Sequence, residues 1–273
     1  MKKLMVAGCS YSAVSLTHPG TSWSEILANR LGWELVNLSR QGCSNGGIRI
    51  QIEEIRRQRP DFAIIVPTSW DRIEIPATAA PYDWSQPLGD WAPPLETHLR
   101  NKDIKNGYNR VDGIDNVNYG NNNYNMICET IFSLAHNYPN RWRSGKISKD
   151  TQTAVKHWID GMYDANWKQQ QDEWIIMEGV VQLFSDELKF LITAGMLWLP
   201  AASPEWRKLF PKMIPDEYIW LDRMKSHQTA CATHPIIGDD DPGYHGSPDS
   251  QQLIANWYYD HIITVLGQEA LAD

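Results

Sequence analysis

A serine near one end of the chain and a histidine near the other are residue types that together can cleave an ester. Ser10 follows a short apolar run over residues 3–7, and such a run indicates a strand of a parallel sheet, whose ligands lie beyond its carboxyl end. A serine hydroxyl is a weak nucleophile and needs a base. His245 lies ahead of the last predicted helix, and a histidine ring nitrogen can accept the serine proton.

An acidic loop surrounds this histidine. Asp241 is four residues before His245, and Asp239 and Asp240 lie further back. A carboxylate in a tight loop can hold one ring nitrogen and leave the other for the serine proton. An acidic loop that merely contains a histidine has the same spacing, so the spacing alone leaves both interpretations open.

Cys9 is a rival nucleophile beside Ser10. Successive side chains of a strand point to opposite faces, so we expect Cys9 to point away from Ser10 and to pack between the sheet and a helix. The four cysteines lack the spacing of a metal site. Cys9 and Cys43 follow predicted neighbouring strands, so a redox pair is a further interpretation.

Strands and helices that alternate at the start of the chain must position this edge. The predicted elements are a strand at 3–7, a helix that begins with a capping box at Ser22 and Glu25, a strand at 34–38, a helix at 48–59 and a strand at 61–66. Such repeats predict right-handed crossovers and a parallel sheet. A fourth strand is predicted at 189–193, and Ser247-Pro248 can cap the last helix.

The middle of the chain breaks this pattern. Residues 76–123 are rich in Pro, Gly, Asp and Asn, which is typical of a lid or an insertion. Further helices are predicted at 125–136, 151–167, 171–184 and 216–224. We predict one domain over 1–273, a three-layer, flavodoxin-like α/β fold with a parallel sheet of four or five strands and a large helical and loop insertion at about 76–187.

The composition excludes several partners. The chain has 273 residues, a net charge of −8 and one short basic run at 56–59. We therefore expect that the protein does not bind nucleic acid. No apolar run is long enough to cross a membrane. The apolar stretch near the N-terminus, about five residues, is shorter than the roughly 7–15 of a signal peptide. We therefore expect a cytoplasmic protein with free thiols.

Four short blocks resemble the SGNH (GDSL-type) hydrolases. Gly-Cys-Ser at residues 8–10 is similar to the first block, normally Gly-Asp-Ser, whose serine is the nucleophile. Gly42 matches the second-block glycine, and residues 60–71 lie without gaps along the third block, which normally ends Gly-Thr-Asn-Asp. His245 matches the fifth-block histidine. The blocks have the expected order and spacing, and their sequences are most similar to those of SGNH-like proteins often found in phage genomes.

The resemblance implies a role for each matched residue. Ser10 would be the nucleophile, His245 the base and Asp241 the acid that orients the imidazole. The main-chain N–H groups of Ser10 and Gly42 would bind the oxyanion that forms on the substrate carbonyl. The fold would then be the SGNH form of the three-layer architecture. We expect no cofactor and no metal.

Three positions depart from the family pattern. Cys9 replaces the first-block aspartate, which is usually not a catalytic group. Trp70 stands where the third block has an asparagine, so the side-chain oxyanion donor of that block is absent. Ser69, Thr68 or Asn45 could replace it. Loss of such a donor without a replacement costs about 3 kcal/mol of transition-state stabilisation. Pro242 stands three residues before the histidine, where the family acid normally lies, so the acid is displaced or the site works as a dyad.

Aromatic residues indicate the substrate. The chain has 13 Trp and 11 Tyr against 5 Phe, and Trp and Tyr offer flat apolar faces with a polar group that suit sugars. We expect Trp70, Tyr11 and Tyr244 to contact the substrate, and Trp84 and Trp91 to shape the pocket from the insertion. The predicted function is hydrolysis of a small-molecule or glycan ester, such as an O-acetylated sugar.

A second interpretation belongs to another class of protein. An SGNH fold without catalysis would act as a glycan-binding or virion structural module, and Trp70 in place of the asparagine favours it. A phage-encoded chain would then be associated with the virion. Reaction of the serine with a fluorophosphonate distinguishes the two classes.

Overall fold

The computed structural model describes residues 1–14, 19–39, 43–70, 72–76, 116–118, 125–130, 149–193, 214, 218–220, 227, 230 and 246–267. Its strands are β1 (Lys3–Ala7), β2 (Glu34–Asn37), β3 (Phe62–Ile65), β4 (Arg72–Pro76), β5 (Asn116–Asn118), β6 (Asn125–Thr130), β7 (Phe190–Thr193) and β8 (Ile219–Trp220). Its longer helices are α1 (Trp23–Leu31), α2 (Asn45–Gln58), α3 (Lys149–Gly161), α4 (Ala165–Ser185) and α5 (Pro248–Leu266).

A parallel sheet forms the centre of the fold. Its strand order is β2-β1-β3-β7-β8, and each neighbouring pair is parallel. Counted in chain order, this is the doubly wound order 2-1-3-4-5, which leaves a crevice at the carboxyl ends of the two strands where the winding reverses. Those strands are β1 and β3, so the topology places the end of β1 at the crevice. The predicted α/β class and the parallel sheet are confirmed.

Helices cover both faces of this sheet. Side chains alternate along β1, with Met5 and Ala7 in one apolar cluster and Leu4 and Val6 in the other. The first cluster packs against α2 and α4 through Ile48, Ile52, Ile55, Ile176, Val180 and Leu183. The second packs against α1 and α5 through Trp23, Leu27, Leu31, Ile254, Tyr258 and Ile262. The predicted three layers are therefore present.

Local signals in the sequence fix the helix ends. The Ser22 side chain accepts a hydrogen bond from the Glu25 N–H and completes the predicted capping box of α1. Gly32 ends α1 at φ 68°, in the left-handed region that favours glycine. Ser247 caps α5, with Pro248 as its first residue, as predicted.

The expected helix at 151–167 is wrong in its extent. Helix α3 ends at Gly161, and α4 begins at Ala165 because Asp164 caps it by accepting a hydrogen bond from the Trp167 N–H at 2.8 Å. Helix α4 packs against α2 and leads into β7, so it is a crossover helix of the parallel sheet. The predicted insertion at 76–187 remains a prediction as a whole, but its last helix belongs to the three layers.

Two other expected helices are wrong where the structure describes them. Residues 125–130 form β6, which pairs antiparallel with β4 and β5 in a second, three-stranded sheet. Ile219 and Trp220 form β8 at the edge of the parallel sheet. A short apolar run fits either a strand or a helix, and here a partner strand decides. No helix within the described ranges is long and apolar enough to cross a membrane.

Candidate active site

The chain leaves β1 at Gly8 and folds into a tight turn that contains Ser10. The N–H groups of Ser12 and Ala13 both donate to the Cys9 carbonyl, at 3.0 and 3.1 Å. Ser10 is only 3% exposed, and its hydroxyl has no hydrogen-bond partner among the described residues. Most buried hydroxyls are hydrogen-bonded. A buried hydroxyl without a described partner at the crevice of the sheet is therefore a candidate functional group. We call residues 8–13 the Ser10 turn.

Helix α1 and strand β2 hold the Ser10 turn from one side. The indole N–H of Trp23 donates to the Tyr11 carbonyl at 3.0 Å. The side-chain amide of Asn37 donates to the Ser12 carbonyl at 2.7 Å. The main-chain N–H of Trp23 donates to Oε1 of Gln251 at 2.9 Å, so the first turn of α5 lies next to the start of α1.

Gly8 is the residue that permits this close packing. A Cβ added to Gly8 would lie 2.8 Å from Oγ of Ser12 and 3.2 Å from Cβ of Val66. Any side chain would therefore push the Ser10 turn away from β3. The sequence singled out Gly8 as part of a motif, and the structure gives the steric reason.

Asn45 joins the start of α2 to the end of β3. Its Oδ1 accepts from the Thr68 N–H at 2.9 Å, and its Nδ2 donates to the Thr68 carbonyl at 3.1 Å and to Oδ2 of Asp172 at 3.0 Å. Both amide hydrogens are thus committed, which leaves none for the oxyanion role expected of Asn45 in this arrangement. Lys168 completes the network by donating to Asp172, and this ion pair is buried.

Ser69 and Trp70 follow on the same edge. Both side chains are half-buried directly after Thr68, at the carboxyl end of β3. This is the crevice that the topology defines beside the Ser10 turn. Their predicted roles, oxyanion donor for Ser69 and substrate contact for Trp70, stay predictions.

The two cysteines of this region are buried. Cys9 lies in the apolar cluster between the sheet and the α2–α4 layer, as strand alternation predicted. Cys43 belongs to the same cluster, and neither of these two cysteines forms a disulfide. A thiol packed in this way is a small apolar side chain, so Ser10 is the better candidate nucleophile.

Several predicted site residues lie outside the described part of the chain. They are Gly42, Asp241, Tyr244 and His245, together with Trp84 and Trp91 of the insertion. Their predicted roles are therefore untested. Tyr11 is described and half-buried, with its main chain inside the Ser10 turn.

His227 is a residue that the sequence reasoning missed. It is buried against Trp23, with ring centroids 5.4 Å apart, and its centroid lies 6.5 Å from that of Tyr11. Its Nε2 lies 2.6 Å from the Tyr258 hydroxyl, while Nδ1 has no partner among the described residues. Burial lowers the pKa of His227 to about 3 and raises that of Tyr258. No motif surrounds position 227, so no sequence signal could have found it.

This buried histidine makes the stability of the protein depend on pH. The unfolded chain binds a proton at His227 below about pH 6.5, whereas burial delays binding in the folded chain to about pH 3. Its neutral form therefore stabilises the fold fully above pH 6.5, and that contribution falls by about 1.4 kcal/mol per pH unit below it. We expect wild type to lose about 2 kcal/mol more free energy of unfolding than His227→Gln between pH 6.5 and 5.

Denaturant unfolding of both proteins at the two pH values measures this difference. The comparison cancels the titration of other groups, because they are common to both chains. Equal losses in wild type and His227→Gln would contradict a neutral, buried His227.

Comparison with known proteins gives matches among solved structures. No protein-family model and no curated protein matches the sequence. Among solved structures, the chain is similar to a lipolytic protein of the G-D-S-L family from Desulfitobacterium hafniense, with 10% identity, TM-score 0.45 and coverage of 96% of this chain and 99% of that one.

Two further structures are similar over nearly the whole chain. One is the psychrotrophic esterase EstA from Pseudoalteromonas sp., at 11% identity and TM-score 0.45, with coverage of 98% of this chain and 100% of that one. The other is the acetyl xylan esterase AlAXEase, at 10% identity and TM-score 0.44, with coverage of 96% and 100%.

The fold defines a class of architecture. A 2-1-3-4-5 parallel sheet with helical layers on both faces is a doubly wound, flavodoxin-like α/β fold. Ser10 lies in the turn after its first strand, where such folds place their ligand sites.

Proposed function

We propose that the protein is a serine ester hydrolase with Ser10 as its nucleophile. The observation that carries this proposal is the buried Ser10 hydroxyl, which no described residue binds, at the crevice end of β1. A hydroxyl kept out of internal hydrogen bonds is free to bond to a base and to attack a carbonyl. Ser12 in the same turn is also buried without a described partner, so the match of residues 8–10 to the first SGNH block is what favours Ser10 as the nucleophile.

His245 is the proposed base, and its neighbours in the chain support this role. His245 is two residues before Ser247, the N-cap of α5, and two residues span at most about 7 Å. Trp23 links the first turn of α5 to the Ser10 turn through its bonds to Gln251 and Tyr11. The proposed base thus lies two residues before the N-cap of a helix whose first turn is joined to the Ser10 turn through Trp23.

The reaction follows from these roles. The Ser10 oxygen attacks the acyl carbonyl while His245 accepts its proton, and Asp241 orients the imidazole. The main-chain N–H groups of Ser10 and Gly42 hold the oxyanion, with the Ser69 side chain as a further donor. His245 then gives the proton to the leaving alcohol. Water, activated by His245, hydrolyses the acyl-enzyme and restores Ser10.

The proposed substrate is an ester on a carbohydrate, such as an O-acetylated sugar. Trp70 at the crevice, and Tyr11 and Tyr244 beside the two catalytic residues in sequence, supply aromatic surfaces for a sugar ring. The chain's excess of Trp and Tyr over Phe supports the same class of ligand.

A fluorophosphonate probe tests the proposed function. We expect the wild-type protein to be labelled with one probe per chain, to turn over p-nitrophenyl acetate, and to yield a labelled peptide that contains Ser10. The probe bonds covalently only to an activated serine. Absence of both labelling and turnover would refute the enzyme and leave the glycan-binding or virion structural module.

Two observations favour that module as a second candidate. Trp70 occupies the asparagine position of the third block, and the amide hydrogens of Asn45 are committed to Thr68 and Asp172. Neither residue then offers a side-chain amide to an oxyanion. Retention of the protein on an immobilised acetylated glycan, without labelling, would support this candidate.

A further inference from the structure

Gln51 is a buried glutamine of α2 that contacts the main chain beneath the Ser10 turn. It is 0% exposed. Its Oε1 accepts from the Gly8 N–H at 2.7 Å, and its Nε2 donates to the Gly8 carbonyl at 3.3 Å. One carboxamide thus satisfies both polar groups of the glycine that begins the turn.

This contact continues the sheet where its own ladder stops. The last interstrand bonds on β1 run from the Leu38 N–H to the Val6 carbonyl and from the Val66 N–H to the Ala7 carbonyl, both at 2.8 Å. Gly8 has therefore left the ladder, and the Gln51 side chain takes the place of a neighbouring strand. Gly8 is also closely packed, because an added Cβ would lie 2.8 Å from Oγ of Ser12 and 3.2 Å from Cβ of Val66.

The same carboxamide reaches the loop after β2. Nε2 of Gln51 also lies 3.4 Å from Sγ of Cys43, to which it donates. The carbonyl of Cys43 accepts from Nη1 of Arg72 at 3.1 Å. Cys43 is thus held at its side chain by Gln51 and at its main chain by the residue that begins β4.

We propose that Gln51 is a positioning residue that fixes the position of the Ser10 turn relative to Cys43. This role rests on the proposed function, in which the Ser10 N–H and the N–H of the residue before Cys43 bind one oxyanion. Gln51 contacts the main chain of Gly8, two residues before the first donor, Ser10. It also contacts the side chain of Cys43, one residue after the second donor. It does not touch the substrate, so it acts through the geometry of the donors.

The role predicts which kinetic constant changes. Donors that fit the oxyanion bind the transition state more tightly than the ground-state ester, so a displaced donor lowers kcat and leaves KM nearly unchanged. We expect Gln51→Leu to lower kcat for p-nitrophenyl acetate roughly 10²-fold, with KM within a factor of about three. Labelling by the fluorophosphonate should be slower but still reach one probe per chain, because Ser10 is intact.

Glu54 offers a matched control one turn further along α2. It is 8% exposed, and its carboxylate accepts from Arg57 and Gln58 of the same helix. Glu54→Leu therefore removes a similarly enclosed polar group from the same helix without contact to the Ser10 turn. We expect its kcat to stay within a factor of about three of wild type, even where its free energy of unfolding falls as far as that of Gln51→Leu.

Gln51→Met provides a second variant if Gln51→Leu does not fold. It keeps nearly the length of the side chain but neither accepts from the Gly8 N–H nor donates to the Gly8 carbonyl and to Cys43. The same selective fall in kcat would support the role. A wild-type kcat in either folded variant, or an equal fall in Glu54→Leu, would overturn it while the proposed function stands. A wild-type protein that neither labels nor turns over ester would overturn both.

Discussion

Ser10→Ala should lower kcat for p-nitrophenyl acetate by roughly 10³-fold or more and abolish fluorophosphonate labelling. The variant removes the oxygen that attacks the acyl carbonyl and carries the acyl group in the proposed acyl-enzyme. Because the Ser10 hydroxyl makes no hydrogen bond to a described residue, its removal breaks no internal contact there. The free energy of unfolding should therefore stay close to that of wild type, and the loss should be of chemistry alone.

Ser12 supplies the control for this prediction. Its hydroxyl is also fully buried, lies in the same turn and has no hydrogen-bond partner among the described residues. Ser12→Ala makes the same chemical change two residues away. We expect it to be labelled fully and to keep kcat within a factor of a few. If both variants retain labelling, Ser10 is not the nucleophile; if only Ser12→Ala loses it, the roles of the two serines are exchanged.

The central fold could be predicted because its signals are local. The apolar runs of β1 and β3, the capping box of α1 and the Ser247-Pro248 start of α5 each act within a few neighbouring residues. The orientation of Cys9 also followed from strand alternation alone. The errors fell where a distant partner decides, as for β6, which became a strand by pairing with β4.

The packing around the candidate site could not be predicted for the same reason. Asn45, Thr68 and Asp172 form one network across separations of 23 and 127 residues. Gln51 is separated from Gly8 by 43 residues. A glutamine in the middle of an amphipathic helix gives no sign that it will be buried, because only the tertiary fold brings a main-chain glycine against it. The sequence could identify Ser10 as a candidate but not the residues that hold its turn.

Replacement of His245 tests the second half of the proposed mechanism. We expect His245→Gln to lower kcat/KM roughly 10³-fold at neutral pH, because a general base contributes about 10²–10⁴ to the rate. In wild type, kcat/KM should fall as the pH drops below the ordinary histidine pKa of about 6.5, since the protonated imidazole cannot accept the serine proton. The residual rate of His245→Gln should lack this fall between pH 5 and 8.

His227 makes this pH profile decisive. Its ring centroid lies 6.5 Å from that of Tyr11 in the Ser10 turn, but burial lowers its pKa to about 3, so it stays neutral between pH 5 and 8. Folded His227→Gln should therefore keep the wild-type pH profile of kcat/KM, although its stability responds to pH differently. A pH profile that flattens in His227→Gln and persists in His245→Gln would mean that His227, and not His245, is the base. A flat wild-type profile would mean that no histidine that titrates between pH 5 and 8 acts as the base, and it would contradict His245 with an ordinary histidine pKa in that role.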